Sequence, residues 1–545
     1  MFYKIILVKI IFIYFLNANE INRIYVNLNN NPIYNSTEWK SLLHYKNGLN
    51  IKDKKFILSL DNFSLENEMK KTIYGFFDDK KYYKNINEHP QCRFPARFLF
   101  IKNELNLKDD TFPKINCFDF ETYKLKAPAD KIFIVYASEN VKNPSSMMGH
   151  TFLKFEGIND NGDKKQHSLS FYTTIETANI FKLFYENTIS GMQGLFVLRP
   201  YKETLNRYID FEKRNVWEFE LNLNEYQKKL LSYHMWELKD IDLKYYFTKY
   251  NCSTILFFSL SLVNNHIYED DKIWITPLDI TKYLYKYDLK NSSKLIPTEN
   301  WLNRMLEENF KDKEIDLKNS TIDISKYKSP NNIPDEREIS FSYKNIDKSD
   351  FAKISFLPAS HLLSGDNREY FGESELKIGY LSLLANKEKI KIDELTLYGM
   401  KSYLPYQKKA KDLSFEFEMS IKRDYDSKMN YSSNTKIIGG VGYDFKLSYD
   451  MDFYFLLNGG INYNKENNLK FVVNPKIGFI IYEIFNMKTV FDYEKLYFEK
   501  NRIYDRYSFK QNIFISKNKN IYLNFDKYKS YEDKTNFEVG FAINF

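Results

Sequence analysis

The chain ends in FEVGFAINF, Phe537 to Phe545, and those nine residues decide how roughly its last 210 are read. Phe537, Val539, Phe541, Ile543 and Phe545 fall on one side, and Glu538, Gly540, Ala542 and Asn544 on the other. A period of two is the side-chain period of a β-strand. Working back, the same alternation runs through Leu413, Phe415, Phe417, Met419 and Ile421, through Ile437, Gly439, Val441, Tyr443, Phe445 and Leu447, and through Met451, Phe453, Phe455, Leu457, Gly459, Ile461 and Tyr463. Each run is nine or more residues, the length of a tilted strand crossing an outer membrane. About twelve such segments fit between Glu338 and Phe545, one per roughly 17 residues with its turn. The expectation is an antiparallel transmembrane β-barrel of about twelve strands. A secreted β-sandwich would alternate too. The strand length, and the Tyr and Phe near segment ends as interface girdles, favour the barrel.

A barrel also reconciles two features of the composition. Phe (46) and Tyr (44) dominate a chain that is 17% aromatic, yet its mean hydropathy is −0.52. A bundle of membrane helices needs long apolar runs, whereas a barrel wall needs an apolar residue only at every second position. With 79 Lys plus Arg against 72 Asp plus Glu the net charge is +7 over 545 residues, which gives no ground for a nucleic-acid partner. The 18 Gly and 14 Pro exclude collagen-like and linker-like chains. At about 150 residues per domain the length suggests three or four units.

At the other end, Ile5 to Leu16 (IILVKIIFIYFL) is an apolar run of twelve, with Lys4 before it and Asn17-Ala18-Asn19-Glu20 after it. It is too short to span about 30 Å of hydrocarbon and has the form of a secretory h-region, with cleavage after Ala18. Residues 1–18 are therefore read as a signal peptide and the mature chain as exported. A terminal aromatic closing an alternating strand, as Phe545 does, resembles the recognition signal of bacterial outer-membrane barrels. That resemblance implies an outer-membrane address.

Between signal and barrel the pattern changes. Residues 19–128 carry helical patterns, at Trp39, Leu42 and Leu43 and across Leu58 to Phe77, and are read as a helical N-terminal periplasmic unit. Residues 129–332 are read as an α+β unit and 333–545 as the barrel. Cys92 and Cys117 stand 25 apart and are expected to pair as a disulfide in an exported chain, leaving Cys252 unpaired. Cys252 lies in KYNCST, Lys249 to Thr254, ahead of the apolar Ile255, Leu256, Phe257, Phe258 and Leu260. A polar cluster before an apolar run reads as a helix start. In a first turn the thiol would feel the positive end of the helix dipole and free backbone NH groups, which favour a thiolate and could hold an oxyanion. An unpaired cysteine is equally at home as a small core residue.

The histidines are His44, His89, His150, His167, His234, His266 and His361. His150 has the context of an exposed strand start: IFIVYA (132–137) reads as a buried strand, a polar loop ends at Gly149, and HTFLKF (150–155) opens the next strand. A third strand begins near His167 after a turn at Asn159 to Gly162, and whether the two histidines meet depends on the hairpin register. The set His150, Asp160, Asp163 and His167 matches no closed zinc spacing, and no phosphate loop, dinucleotide fingerprint or serine elbow occurs. Neither metal nor cofactor is expected.

Four pieces, CRFPARF (92–98), ASENVKNPSSMMGHTFLKF (137–155), RPYKETLNRYIDFEKRNVWEFELNLN (199–224) and HMWELKDIDLKYYFTKYNCS (234–253), resemble the Lnb N-terminal periplasmic domain family (DUF4105-type), over roughly Trp39 to Pro277. The order, His first and Asn-Cys later on a helix start, is also similar to circularly permuted papain-like folds of the NlpC/P60 and lecithin:retinol acyltransferase type. The resemblance implies a papain-like α+β fold and a Cys-His thiol enzyme, with Cys252 as nucleophile, His150 as base and His167 in the orienting position. An acyl-enzyme would pass its acyl group to an amine or to water. Named Lnb proteins are implied to N-acylate lipoproteins with a chain taken from a phospholipid. The present chain departs from them in its C-terminal half, where a barrel stands in place of helical spans. The expected function is an outer-membrane-tethered periplasmic thiol acyltransferase or acylhydrolase acting on lipid or lipoprotein acyl groups, with outer-membrane lipid, lipoprotein or phospholipid as partner. The alternatives are a peptidoglycan amidase or peptidase of the NlpC/P60 type and a non-catalytic barrel-anchored scaffold.

Overall fold

A computed structural model describes residues 19–545 except 139–147, 175–181, 183–184, 273, 303–328, 371, 408–410, 427, 449, 466–467 and 499–501. The expected signal peptide lies outside the described residues. The chain forms two compact units, one built mainly from residues up to 296 and the other mainly from 297–545.

The first unit is organised on a seven-stranded sheet of order β6-β4-β3-β2-β1-β5-β7. Its strands are β1 (Lys131–Ala137), β2 (His150–Ile158), β3 (Lys164–Thr173), β4 (Met192–Pro200), β5 (Val216–Leu221), β6 (Lys244–Tyr245) and β7 (Lys290–Ile296). β1 is buried at every position after Lys131, which is what a near-continuous apolar run does when both sheet faces are covered. The β2–β3 hairpin turns where expected: the Gly162 amide donates to the Asn159 carbonyl at 2.8 Å, and Gly162 takes φ +82°, a left-handed value that glycine adopts without strain.

Helices cover both faces. The principal ones are α1 (Thr37–Leu42), α2 (Leu65–Phe76), α3 (Pro95–Glu104), α4 (Phe118–Lys126), α5 (Tyr201–Asn206), α6 (Glu225–Glu237), α7 (Cys252–Ser261) and α8 (Pro277–Lys286). The apolar stretch read from Leu58 becomes helical only at Leu65, because Ser64 caps there by accepting from the Asn67 amide. α7 is buried along its whole length and packs on β2 and β3, with α1 and α8 against it, while α3 packs on α6. Residues 19–128 thus share one compact unit with the sheet. On the opposite sheet face, Phe133, Val135, Ala137, Phe152, Val216, Tyr201 and Tyr208 form a second cluster. Cys92 and Cys117 form the expected disulfide.

The second unit is a closed antiparallel barrel. Its strands are β8 (Glu338–Ile346), β9 (Ser349–Leu357), β11 (Glu373–Ala385), β12 (Ile390–Tyr403), β13 (Ser414–Tyr425), β14 (Tyr431–Ser448), β15 (Met451–Asn464), β16 (Asn468–Glu483), β17 (Met487–Phe498), β18 (Arg502–Ser516), β19 (Lys519–Lys529) and β20 (Asp533–Asn544). β20 pairs with β8, and β9 pairs with β11 to close a ring of twelve; the two-residue β10 (Ser360–His361) adds to β11. The alternation read from sequence sorts as a membrane wall requires. Val441, Leu447, Leu457 and Phe471 stand exposed on the outside, while Asp444, Asp452, Asn458, Lys476, Lys488 and Asp492 are buried inside. A β-sandwich would bury the apolar face; here that face is the outer one.

Candidate active site

Cys252 opens α7 as predicted. Asn251 caps the helix: its Oδ1 accepts from the amides of Ser253 at 2.9 Å and Thr254 at 3.0 Å, and the Thr254 hydroxyl accepts from the Asn251 amide at 3.3 Å. The Asn251 side chain also donates to the carbonyls of Phe247 at 2.9 Å and Ile275 at 3.3 Å, which fixes the cap. Two first-turn amides expected to be free for an oxyanion are therefore engaged by Asn251. The thiol is 5% exposed. Burial pushes the Cys252 pKa up, and the polar groups of Thr151 and Ser253, whose hydroxyl lies 3.8 Å from Sγ, oppose that shift without overcoming it. Burial thus works against the thiolate that the helix dipole favours. Ile255 to Leu260 are core, all buried, so they do not form an acyl-chain groove.

His150 is the first residue of β2, paired with Ala137 of β1. Its ring lies 5.9 Å from Phe152 and 6.2 Å from Tyr208. Consecutive strand residues face opposite ways, so Thr151 meets Cys252 while His150 lies on the opposite face of the strand. The structure brings Cys252 to the neighbour of His150 and sets the two reactive groups on either side of β2. His167 is not brought there. It pairs with Phe155 and Pro200, four residues along β2 from Thr151, or about 13 Å of strand. Partial burial and the charges of Lys165 and Lys126 lower its pKa.

Behind α7 lies a polar chain that no local sequence pattern revealed. The Tyr250 hydroxyl is 2.6 Å from His44 Nδ1, His44 Nε2 is 2.9 Å from His234 Nε2, and His234 Nδ1 is 3.5 Å from Glu237 Oε2. Glu237 Oε1 accepts from the amides of Ala96 at 2.8 Å and Arg97 at 2.9 Å, and Arg97 pairs with Glu68 at 3.0 Å. One donor order runs through the whole chain: Tyr250 donates to His44, His44 to His234, and His234 to Glu237. Burial, with the nearby His234 and Arg97, holds the His44 pKa well below its usual value. The chain ties the residue two positions before Cys252 to α6 and to the end of α1. His234-x-x-Glu237, one turn apart on a helix, was the only visible hint; His44 stands 190 residues from His234. Among the described residues, no group of three or more His, Cys, Asp or Glu side chains is placed to hold a metal ion.

The fold and site together define an outer-membrane β-barrel joined to a periplasmic α+β domain with one free, capped cysteine. Residues 119–287 match the Lnb N-terminal periplasmic domain, 31–104 a domain of unknown function (DUF7843) and 328–544 another (DUF7840). The chain thus fuses an Lnb N-terminal periplasmic domain to a twelve-strand barrel and is anchored in the outer membrane with that domain in the periplasm. No curated protein matches it. Solved structures similar to part of it include an anion-selective porin from Comamonas acidovorans (10% identity, TM-score 0.19, 36% of this chain and 59% of that chain). Others are the KdgM porin (12%, 0.23, 38% and 99%) and the NanC porin (5%, 0.25, 38% and 100%). The chain spans 59% of the length of the Comamonas porin.

Proposed function

We propose that the first unit is a periplasmic thiol acyltransferase or acylhydrolase acting on lipid or lipoprotein acyl groups, with Cys252 as nucleophile and His150 as its base. The observation that carries this reading is the placing of Cys252, the one free cysteine of the chain. It stands at the first position of a capped helix, against the residue that follows His150. To reach the sulfur, His150 must leave its pairing with Ala137 and its place beside Phe152 and Tyr208 and turn to the other face of β2. The imidazole then takes the Sγ proton and the thiolate attacks an ester carbonyl. The alcohol leaves with that proton, and the thioester passes its acyl group to an amine or to water. Anchorage in a lipid layer and the matched domain support an acyl donor drawn from lipid.

With purified phospholipid as donor, Cys252→Ala is expected to reduce acyl transfer to background, and a variant retaining the full rate would refute the proposal. Muropeptide profiles that change on deletion of the protein would favour the peptidoglycan amidase instead.

A further inference from the structure

Twelve strands at about 4.8 Å spacing, tilted about 40°, enclose a ring roughly 24 Å across, wider than one layer of side chains can fill. The described residues nevertheless close the lumen at three levels. Near the end away from Glu338 and Asn544, the Tyr528 hydroxyl donates to Asp424 at 2.9 Å and the Tyr504 hydroxyl to the Tyr425 carbonyl at 3.1 Å. Asp424 is on β13 and Tyr528 on β19, six places apart in the ring of twelve and so on opposite walls. A tyrosine and an aspartate together reach about half the span of a round ring, so the walls draw together here. Tyr425, Phe498, Tyr504 and Tyr528 share one apolar cluster at this level.

The middle level is charged and dry. Lys476 on β16 donates to Glu416 on β13 at 3.1 Å and to the Tyr403 hydroxyl on β12 at 3.2 Å. In a water-filled channel this head would be solvated; Lys476 is 5% exposed. At the end where the chain enters and leaves, the connection between β9 and β11 folds across the mouth. Lys488 on β17 donates to the Gly365 carbonyl at 3.0 Å, the Tyr482 hydroxyl on β16 accepts from the Asn367 amide at 3.2 Å, and Asn512 on β18 bonds the Ser364 carbonyl. Leu363 packs with Tyr403 and Tyr454. One cavity beside this plug, lined by His361, Gly365, Asn367 and Tyr370 among others, has a volume of about 20 Å³, room for about one water.

We infer that the barrel is an occluded anchor, sealed by an aromatic layer, a paired-charge layer and the 358–370 plug, and that it passes neither ions nor hydrophilic solutes. This holds whether or not Cys252 is catalytic. The full chain, floated in liposomes to prove incorporation and then fused with a planar bilayer, is expected to show no conductance steps above the protein-free membrane. Steady steps would overturn the inference. A second measurement does not depend on fusion. In a Cys252→Ala background, Ser508→Cys on the buried inner face of β18 is expected to react with a small anionic methanethiosulfonate about tenfold or more slowly in the folded barrel than after denaturation. Reaction at the denatured rate would overturn the inference even if the bilayer were silent.

Discussion

The two units bury opposite things. In the first, Leu153 of β2 is fully buried between helices, while in the barrel Leu457 of β15 is 60% exposed and its neighbours Asn458 and Leu456 are buried. The same residue type in the same secondary structure faces opposite ways because the solvents differ. Water drives Leu153 under a helix, whereas hydrocarbon accepts Leu457 and expels the charges inward, where they must find partners. Lys353 with Glu538 at 3.2 Å and Lys377 with Glu394 at 3.0 Å are such pairs.

The sharpest way to break that comparison is in the first core. Phe155→Ala, at a fully buried position, is expected to destabilise the first unit by about 3–5 kcal/mol, read as faster hydrogen–deuterium exchange in β1 to β3 of the full chain. Cys92→Ser, which opens a loop of 25 residues, is expected to cost the same unit about 3.5 kcal/mol by loop entropy, read by the same exchange. Leu457→Arg on the outer wall is expected to cost the barrel about 2–4 kcal/mol if it lies near the midplane. Ile158→Arg, at an equally exposed position of the first unit, is expected to cost within about 0.5 kcal/mol. Equal costs would mean that the two surfaces meet the same solvent.

A smaller effect follows from His44. Its pKa is depressed in the fold, so below its ordinary value of about 6.5 the unfolded chain binds the extra proton. The first unit is then expected to lose stability as pH falls from about 6.5 towards the folded pKa, by up to about 1.4 kcal/mol per unit, with exchange of α1 and α6 rising first. A flat response from pH 7.5 to 5.5 would contradict a neutral, buried His44. The smallest effect is at Cys252, whose pKa burial raises. Alkylation by iodoacetamide is expected to be slow at pH 7 and to reach half its maximum above the usual thiol range. Saturation below pH 7 would show a preformed thiolate pair with His150.

The barrel was legible because a wall one residue thick writes its two solvents directly into alternate positions, as in Met451 to Tyr463. The start of α7 was legible because a polar cluster from Lys249 to Thr254 precedes the apolar Ile255 to Phe258, and the Cys92 and Cys117 pair because an exported chain oxidises its thiols. What stayed hidden depends on pairing between distant segments. The face taken by His150 is set by its partner Ala137 and by which helix covers Thr151. The site of His167 is set by a hairpin register that aligns it with Phe155. The His44, His234 and Glu237 chain joins segments with no common pattern. Even the cap concealed something, since the residue that starts the helix also consumes the amides that were expected to serve chemistry.

The central functional claim is that Cys252 accepts an acyl group from lipid. The most direct measurement is the intact mass of the protein after incubation with phospholipid vesicles, followed by mapping of the modified peptide. One fatty-acyl increment on Cys252, removed by neutral hydroxylamine and absent in Cys252→Ala, is the predicted result; phospholipid deacylated as fast by Cys252→Ala as by the unaltered chain, or no reaction at all, would contradict it.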